Sequence, residues 1–514
     1  MTEPLPPPPT RQQSLARLDG GAVDVLVVGG GIVGAGVARD AATRGLFVAL
    51  VEQDDFAAGT SSRSSRLLHG GLRYLAQGRL RLVREALREK MVLGRIAPHL
   101  VRPLSFVFPT YRGSRNWVLW KLKIGVKLYD RLGGKKNFAP SRGLRPEEVE
   151  RLVPGISTAG LTGAVRYFDA ATGDARLVLD TLRSAAAAGA CVVNYAEVES
   201  AEFSGGAWRC RVLDSEGGGR TTVSARAIVN AAGAWADRLP ASRVKLRLTK
   251  GSHVVVRRER LPVTEAVVMT EGRRILFAIP WGERTILGTT DTDYAGDLRS
   301  PVCTAEDARY ILGIVNRTFP TADLTESDVT SAWAGLRPLV ASGPQRAGKP
   351  SEVSREHDIH MTEPGWFDVA GGKLTTYRLM AEQAVDKVVR FLGTQNARPC
   401  VTAGEPLLAA PSPFSGVVPP EPSREAVEHY CRDEWAHHLD DVMVRRSNWQ
   451  HYRDDAPEVA RRSLGWMAAI HGWTDGRTEA EWQRYLDAAS AYVITTEERT
   501  HEPVPSRAAG GVAG

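Results

Sequence analysis

Cysteine is scarce in this chain: Cys191, Cys210, Cys303, Cys400 and Cys431 are the five among 514 residues, and none falls in a C-x-x-C pair. An odd and dispersed set argues against a disulfide framework and against a thiolate zinc site, so no metal is expected and a reducing compartment is the simpler setting. Nowhere do 18 apolar residues run together, and the first 20 residues hold Pro6 to Pro9 without the apolar core of a signal peptide. The expectation is a cytoplasmic protein, at most peripheral on the cytoplasmic face of a membrane. No aromatic-and-basic motif stands out, so nucleic acid is not an expected partner.

The remaining composition is globular, with 43% hydrophobic and 24% charged residues and 50 glycines. The length exceeds one ordinary core and implies two or three domains. A formal charge of +7 favours anionic partners such as a phosphorylated substrate or an acidic lipid surface, although a solubilising excess of arginine gives the same number.

Val23-Asp24-Val25-Leu26-Val27-Val28 is a β-branched run ending in Gly29-Gly30-Gly31-Ile32-Val33-Gly34, and Ala35 to Ala42 continues as a helix of small residues. Gly29 allows the turn, Gly31 clears space for a pyrophosphate, and Gly34 lets helix and strand pack closely, with the helix N-terminus facing the phosphates. A second strand, Phe47 to Val51, ends on Glu52, 18 residues beyond Gly34. Its carboxylate can bind ribose hydroxyls and would repel a 2′-phosphate, which leaves FAD or NAD.

The stretch Gly59-Thr60-Ser61-Ser62-Arg63-Ser64-Ser65-Arg66-Leu67-Leu68-His69-Gly70-Gly71-Leu72-Arg73-Tyr74-Leu75 resembles the T-S-S-x-S-S-x-L-x-H-G-G-L-R-Y-L signature of the flavin-dependent, respiratory-type glycerol-3-phosphate dehydrogenases. Further matches follow in that family's order: Asp174 to Leu179, Asn230 to Trp235, Lys250-Gly251-Ser252-His253, Ile279-Pro280-Trp281, Gly288 to Asp291, Gly335 to Leu339 and Gly371 to Tyr377. The resemblance covers roughly residues 20 to 395. It implies an α/β fold: a Rossmann-like FAD-binding domain of the amino-acid-oxidase type, an inserted mixed-sheet substrate domain and a small helical C-terminal cap. The expected bounds are a flexible Pro-rich start over 1–20, an FAD-binding domain over 21–98, 162–240 and 352–395, and a substrate domain over 99–161 and 241–351. A Pro-rich linker over 396–422, a cap over 423–498 and a flexible tail over 499–514 complete it.

The same resemblance implies oxidation of sn-glycerol 3-phosphate to dihydroxyacetone phosphate, with electrons passed to a quinone or other acceptor. No second dinucleotide fingerprint appears, which suits such an acceptor. The reaction needs a base and cations to hold the phosphate. His69 is the leading base candidate with His253 second, and Arg337 is placed with them as a catalytic cation. Arg73, Arg355, Lys373, Tyr74 and Thr270 are expected at the substrate, with Thr290 undecided. Cofactor contacts are expected from Gly29, Gly31, Ile32, Gly34, Glu52, Leu68, Ala232, Gly233, Trp235, Gly372, Leu374 and Thr375. The hydroxyls of Thr60, Ser61 and Ser62 are expected to cap a following helix and to meet phosphate, and Gly70 and Gly71 to admit a flat ring.

Respiratory-type members are peripheral membrane enzymes, and Trp117 to Leu132 offers a docking helix with Lys123, Lys127 and Arg131 on one face. The same pattern suits a helix packed on a sheet. A homodimer is admitted. The competing readings are a flavin oxidase that acts on another small hydroxy or amino acid with oxygen, and a flavin-binding module without catalysis.

Overall fold

The structure is a computed structural model describing residues 7–114, 116–134, 137–340 and 357–497, the side chains of Arg73 and Ala76 excepted. Its organising strand is Ala22–Val28, which is apolar on both faces and therefore needs cover on both. Val25 and Val27 meet a layer made of the helices Ile32–Thr43, Asp174–Ala187 and Tyr377–Leu392. Val23, Leu26 and Val28 face the opposite cluster with Leu18, Trp208 and Trp366.

Ala22–Val28 pairs in parallel with Val48–Val51 on one side and Arg220–Asn230 on the other. Parallel pairing continues outward to Cys191–Val193 and Trp366–Gly371. The carboxyl ends of these strands bring Gly29, Glu52, Ala231 and Gly371 to one edge of the sheet, where ligands of such folds bind.

A second, ten-stranded mixed sheet carries the other wall of the site. Leu246–Arg257 pairs antiparallel with Val329–Val340 over nearly its whole length and with Arg284–Gly288 on its other side. Alternation sorts its side chains: Val254 and Val256 pack with the helix Ala305–Thr318, whereas Val255 joins a cluster with the helices Leu80–Ile96 and Leu119–Gly133. The strand Leu161–Thr172, expected largely in the nucleotide domain, belongs here instead. It pairs with Val101–Tyr111 and, at its far end, with Leu67–Leu68.

Two end regions differ from expectation. Within the start expected to be flexible, Arg11–Leu18 is a helix with a Thr10/Gln13 capping box, and Arg11 is pinned 2.6 Å from Asp214. The Pro-rich stretch has no helix or strand but is packed: Arg39 donates to the carbonyls of Thr402, Glu405 and Pro406, and Leu407 and Leu408 are buried. The cap comprises the helices Arg424–Asp433, Ala456–His471 and Asp475–Ala489 around a π-helical turn, Asp441–Arg446.

Candidate active site

The first cleft opens at the carboxyl edge of the parallel sheet. Gly29, Gly31, Ile32, Glu52, Thr60, Ser61, Ala232, Gly233, Trp235, Gly372 and Leu374 all line it. It spans about 1250 Å³ when the open space at its mouth is included. Gly29 has φ +112°, and a Cβ on Gly34 would stand 1.9 Å from the Gly29 carbonyl oxygen, so turn and helix close only with glycine at both places. The N-terminus of the helix Ile32–Thr43 faces the cleft with no acidic residue in its first turn, as a pyrophosphate requires.

Ser61 Oγ accepts from the Ile32 N–H at 3.0 Å, and Thr60 donates to the Leu336 carbonyl at 2.5 Å. These hydroxyls do not cap a following helix. Thr60–Ser62 is a single 3-10 turn, after which the chain extends into Leu67–Leu68. Glu52 accepts from the N–H groups of Gly30 (2.6 Å) and Asp54 (3.0 Å). Burial, with the Asp54 carboxylate adding to it, pushes Glu52 up to about 7. The glycine turn, the open helix end and the acid at the neighbouring strand end fit FAD.

A second cleft of about 1750 Å³ adjoins the first, the two sharing Ile32, Thr60, Ser61, Pro338, Gly372, Lys373 and Leu374. His69, Gly71, Tyr74, His253, Thr290, Arg337, Lys373 and Thr375 line it. Arg337 is held by Asp291 (3.2 Å), Thr289 Oγ1 (3.2 Å) and the Thr290 carbonyl. A Cβ on Gly251 would lie 2.2 Å from this guanidinium, so Gly251 provides its room. Lys373 Nζ sits 3.7 Å above the Tyr74 ring. The backbone N–H of His69 donates to Thr375 Oγ1 at 3.1 Å, and behind it Tyr129 OH accepts from Gly70 N–H at 2.8 Å.

His253 is 2% exposed and stacks on Trp333, with Nε2 2.8 Å from Ser65 Oγ and Nδ1 buried without a hydrogen-bond partner among the described residues. Burial above all, and then the Arg337 and Arg66 guanidinia, pull it down to about 3, so the imidazole is neutral at physiological pH. The cleft thus offers cations for an anionic ligand beside two histidines, at the junction with the nucleotide cleft.

Among the expected residues, Ser62 and Leu68 are buried, Gly34 lies behind the turn, and Gly70 backs onto Leu87 and Tyr129; none of the four lines either cleft. Thr270 is not at the site. It lies towards the end of the strand Ala266–Glu271, on a separate cavity with Ile314 and Thr318. Arg73 is in the helix Leu72–Ala76 with its side chain outside the description, and Arg355 lies outside the described residues. Arg63 and Arg274 line the second cleft and were missed. Arg63 occupies an unspecified position of the signature and Arg274 a hairpin end, so neither carries a sequence signal of its own.

The pattern of the FAD dependent oxidoreductase family matches residues 24–382. The chain is 37% identical to a Mycobacterium tuberculosis protein named glycerol-3-phosphate dehydrogenase 2, covering 95% of this chain and 92% of that one. It is 43% identical to a Mycobacterium leprae glycerol-3-phosphate dehydrogenase over 79% of this chain and 70% of the other. Among solved structures, the Bacillus halodurans glycerol-3-phosphate dehydrogenase complexed with FAD superposes with a TM-score of 0.76 at 28% identity, covering 96% of this chain and 99% of that one.

Proposed function

The chain belongs to the FAD-dependent oxidoreductase family, and within it we propose that it is a glycerol-3-phosphate dehydrogenase, binding FAD and oxidising sn-glycerol 3-phosphate to dihydroxyacetone phosphate. The observation that carries this reading is the junction of the two clefts at Lys373 and Leu374, which sets a cation-lined pocket with two histidines against the nucleotide site. FAD, when bound, supplies the acceptor for the two electrons leaving C2.

The chain's own residues do the rest. Arg337 and Lys373, with Arg73 and Arg355, hold the phosphate and fix the carbinol carbon; guanidinium forks suit phosphate oxygens. Arg337, anchored by Asp291 and Thr289, also stabilises negative charge developing on the substrate oxygen. Tyr74, fixed under Lys373, orders that cation. His69 takes the hydroxyl proton, with His253 as second candidate. Thr290, in the cleft and accepting from the Ser252 N–H at 2.9 Å, takes the place expected of Thr270.

Quinone is the acceptor we favour, because no second dinucleotide fingerprint appears in the sequence. Contact with a membrane surface fits the helix Leu119–Gly133. On it Trp120, Ile124 and Leu128 stand exposed in one stripe, the first two at 60% and 61%, beside the exposed Lys121, Lys123 and Lys127. Among the described residues no helix is long and apolar enough to cross a membrane.

The test is product formation with an artificial electron acceptor. Dihydroxyacetone phosphate should accumulate from sn-glycerol 3-phosphate, with little turnover of glycerol, lactate or glycine. Faster turnover of an unphosphorylated hydroxy or amino acid would instead support a related oxidase.

A further inference from the structure

We propose that Asp55 is a positioning residue for the cofactor, tying the wall of the nucleotide cleft to the C-terminal cap so that FAD retention depends on Arg445 and Arg446. This rests on reading that cleft as the FAD site.

From Glu52 to Ser61 every residue lines the cleft except Asp55 and Phe56, and both of these turn towards the cap. Phe56 meets Trp435 edge-on at 5.5 Å between ring centroids. The Asp55 carboxylate, 1% exposed, accepts from Arg445 Nε, from both terminal nitrogens of Arg446, and from Asn194 Nδ2 at 3.0 Å. Asn194 Nδ2 also donates to the Trp435 carbonyl at 3.0 Å, closing a ring between wall and cap.

The arrangement is anchored beyond Asp55. Arg446 donates to the Glu434 carbonyl through Nε at 3.1 Å and Nη2 at 2.7 Å, and the Glu434 carboxylate grips Arg176 with contacts of 2.5 and 2.7 Å. Arg176 belongs to the helix Asp174–Ala187, which packs on the cofactor helix Ile32–Thr43. Within the wall, Ala57 holds φ +63° while its N–H donates to the Gly30 carbonyl at 3.1 Å. A non-glycine residue keeps that conformation only when its surroundings fix it, and Asp55 and Phe56 are the neighbours that the cap holds. Without the Asp55 carboxylate, Arg446 has only the Glu434 carbonyl as acceptor in this network, and the wall of the nucleotide cleft keeps only the Phe56–Trp435 contact to the cap.

Two measurements decide the matter. In deflavinated and reconstituted protein, Asp55→Asn should raise the FAD dissociation constant at least about tenfold relative to wild type, with a smaller effect on the thermal midpoint of the apoprotein than on that of the holoprotein. Coupling is reciprocal. FAD binding to the wild-type protein should therefore slow hydrogen exchange in the cap peptide 434–448 several-fold, a readout that needs no variant to fold. An FAD affinity in the variant within twofold of wild type, or exchange in 434–448 indifferent to FAD, would overturn the coupling alone. A wild-type protein that takes up no FAD would overturn the cofactor reading together with it.

Discussion

His253 shows how a residue's surroundings decide its role. Buried against Trp333 and close to two guanidinia, it is neutral above about pH 3, so protonation of His253 cannot shape an activity profile between pH 5 and 8. His69→Asn should slow anaerobic flavin reduction by substrate about 10²- to 10⁴-fold with bound FAD retained, measured by stopped flow. An unchanged rate would remove His69 from the base role. The signature makes His69 and Tyr74 legible from sequence, and the Gly371 to Tyr377 match does the same for Lys373, because their neighbours are motif residues. The 2.8 Å contact of Ser65 with His253 spans 188 positions and follows from no local pattern. Thr290 falls inside the Gly288 to Asp291 match and Thr270 in none, and the structure separates them: Thr270 lies in the strand Ala266–Glu271 on another cavity, Thr290 just beyond Arg284–Gly288 in the cleft.

At the level of elements, the strand, turn and helix around Gly29 and Gly34 are the most legible part of the chain, since backbone proximity dictates glycine there. Gly34→Ala, which would press a methyl group to 1.9 Å from the Gly29 carbonyl, should yield protein purified without flavin; a yellow, stable variant would contradict the packing argument. The helix Arg11–Leu18 could have been found from its Thr10/Gln13 capping box, which the neighbouring prolines obscured. The cap follows a different rule. Burial depresses His438 and His429, but Glu216 and Glu481 for the first, and Asp433 and Glu434 for the second, outweigh it, raising them to about 10 and about 9. A histidine with a folded pKa above its unfolded value of about 6.5 gives its full stabilisation below that pH and loses it as pH rises through the folded value. The thermal midpoint should therefore fall between about pH 6.5 and 10. His438→Gln should flatten that decline, and an equally steep decline in the variant would assign it elsewhere.

Across the whole molecule, the carboxyl edge of the parallel sheet and one face of the mixed sheet line two adjoining clefts. The two-part architecture was readable from the order of motifs. The boundary was not, because Leu161–Thr172 pairs with a strand some 60 residues earlier instead of joining the parallel sheet it adjoins in sequence. The exposed Trp120, Ile124 and Leu128 stripe gives a prediction at this scale: the protein should cosediment with vesicles containing phosphatidylserine, less with neutral ones, and Trp120→Glu should weaken binding several-fold. Equal sedimentation of the variant would move the docking surface elsewhere. Addition of sn-glycerol 3-phosphate to the purified yellow protein without oxygen shows directly whether this chain uses bound FAD to oxidise it. The visible band of oxidised flavin should bleach and dihydroxyacetone phosphate form in equal amount, whereas a flavin that stays oxidised would mean that sn-glycerol 3-phosphate is not the substrate.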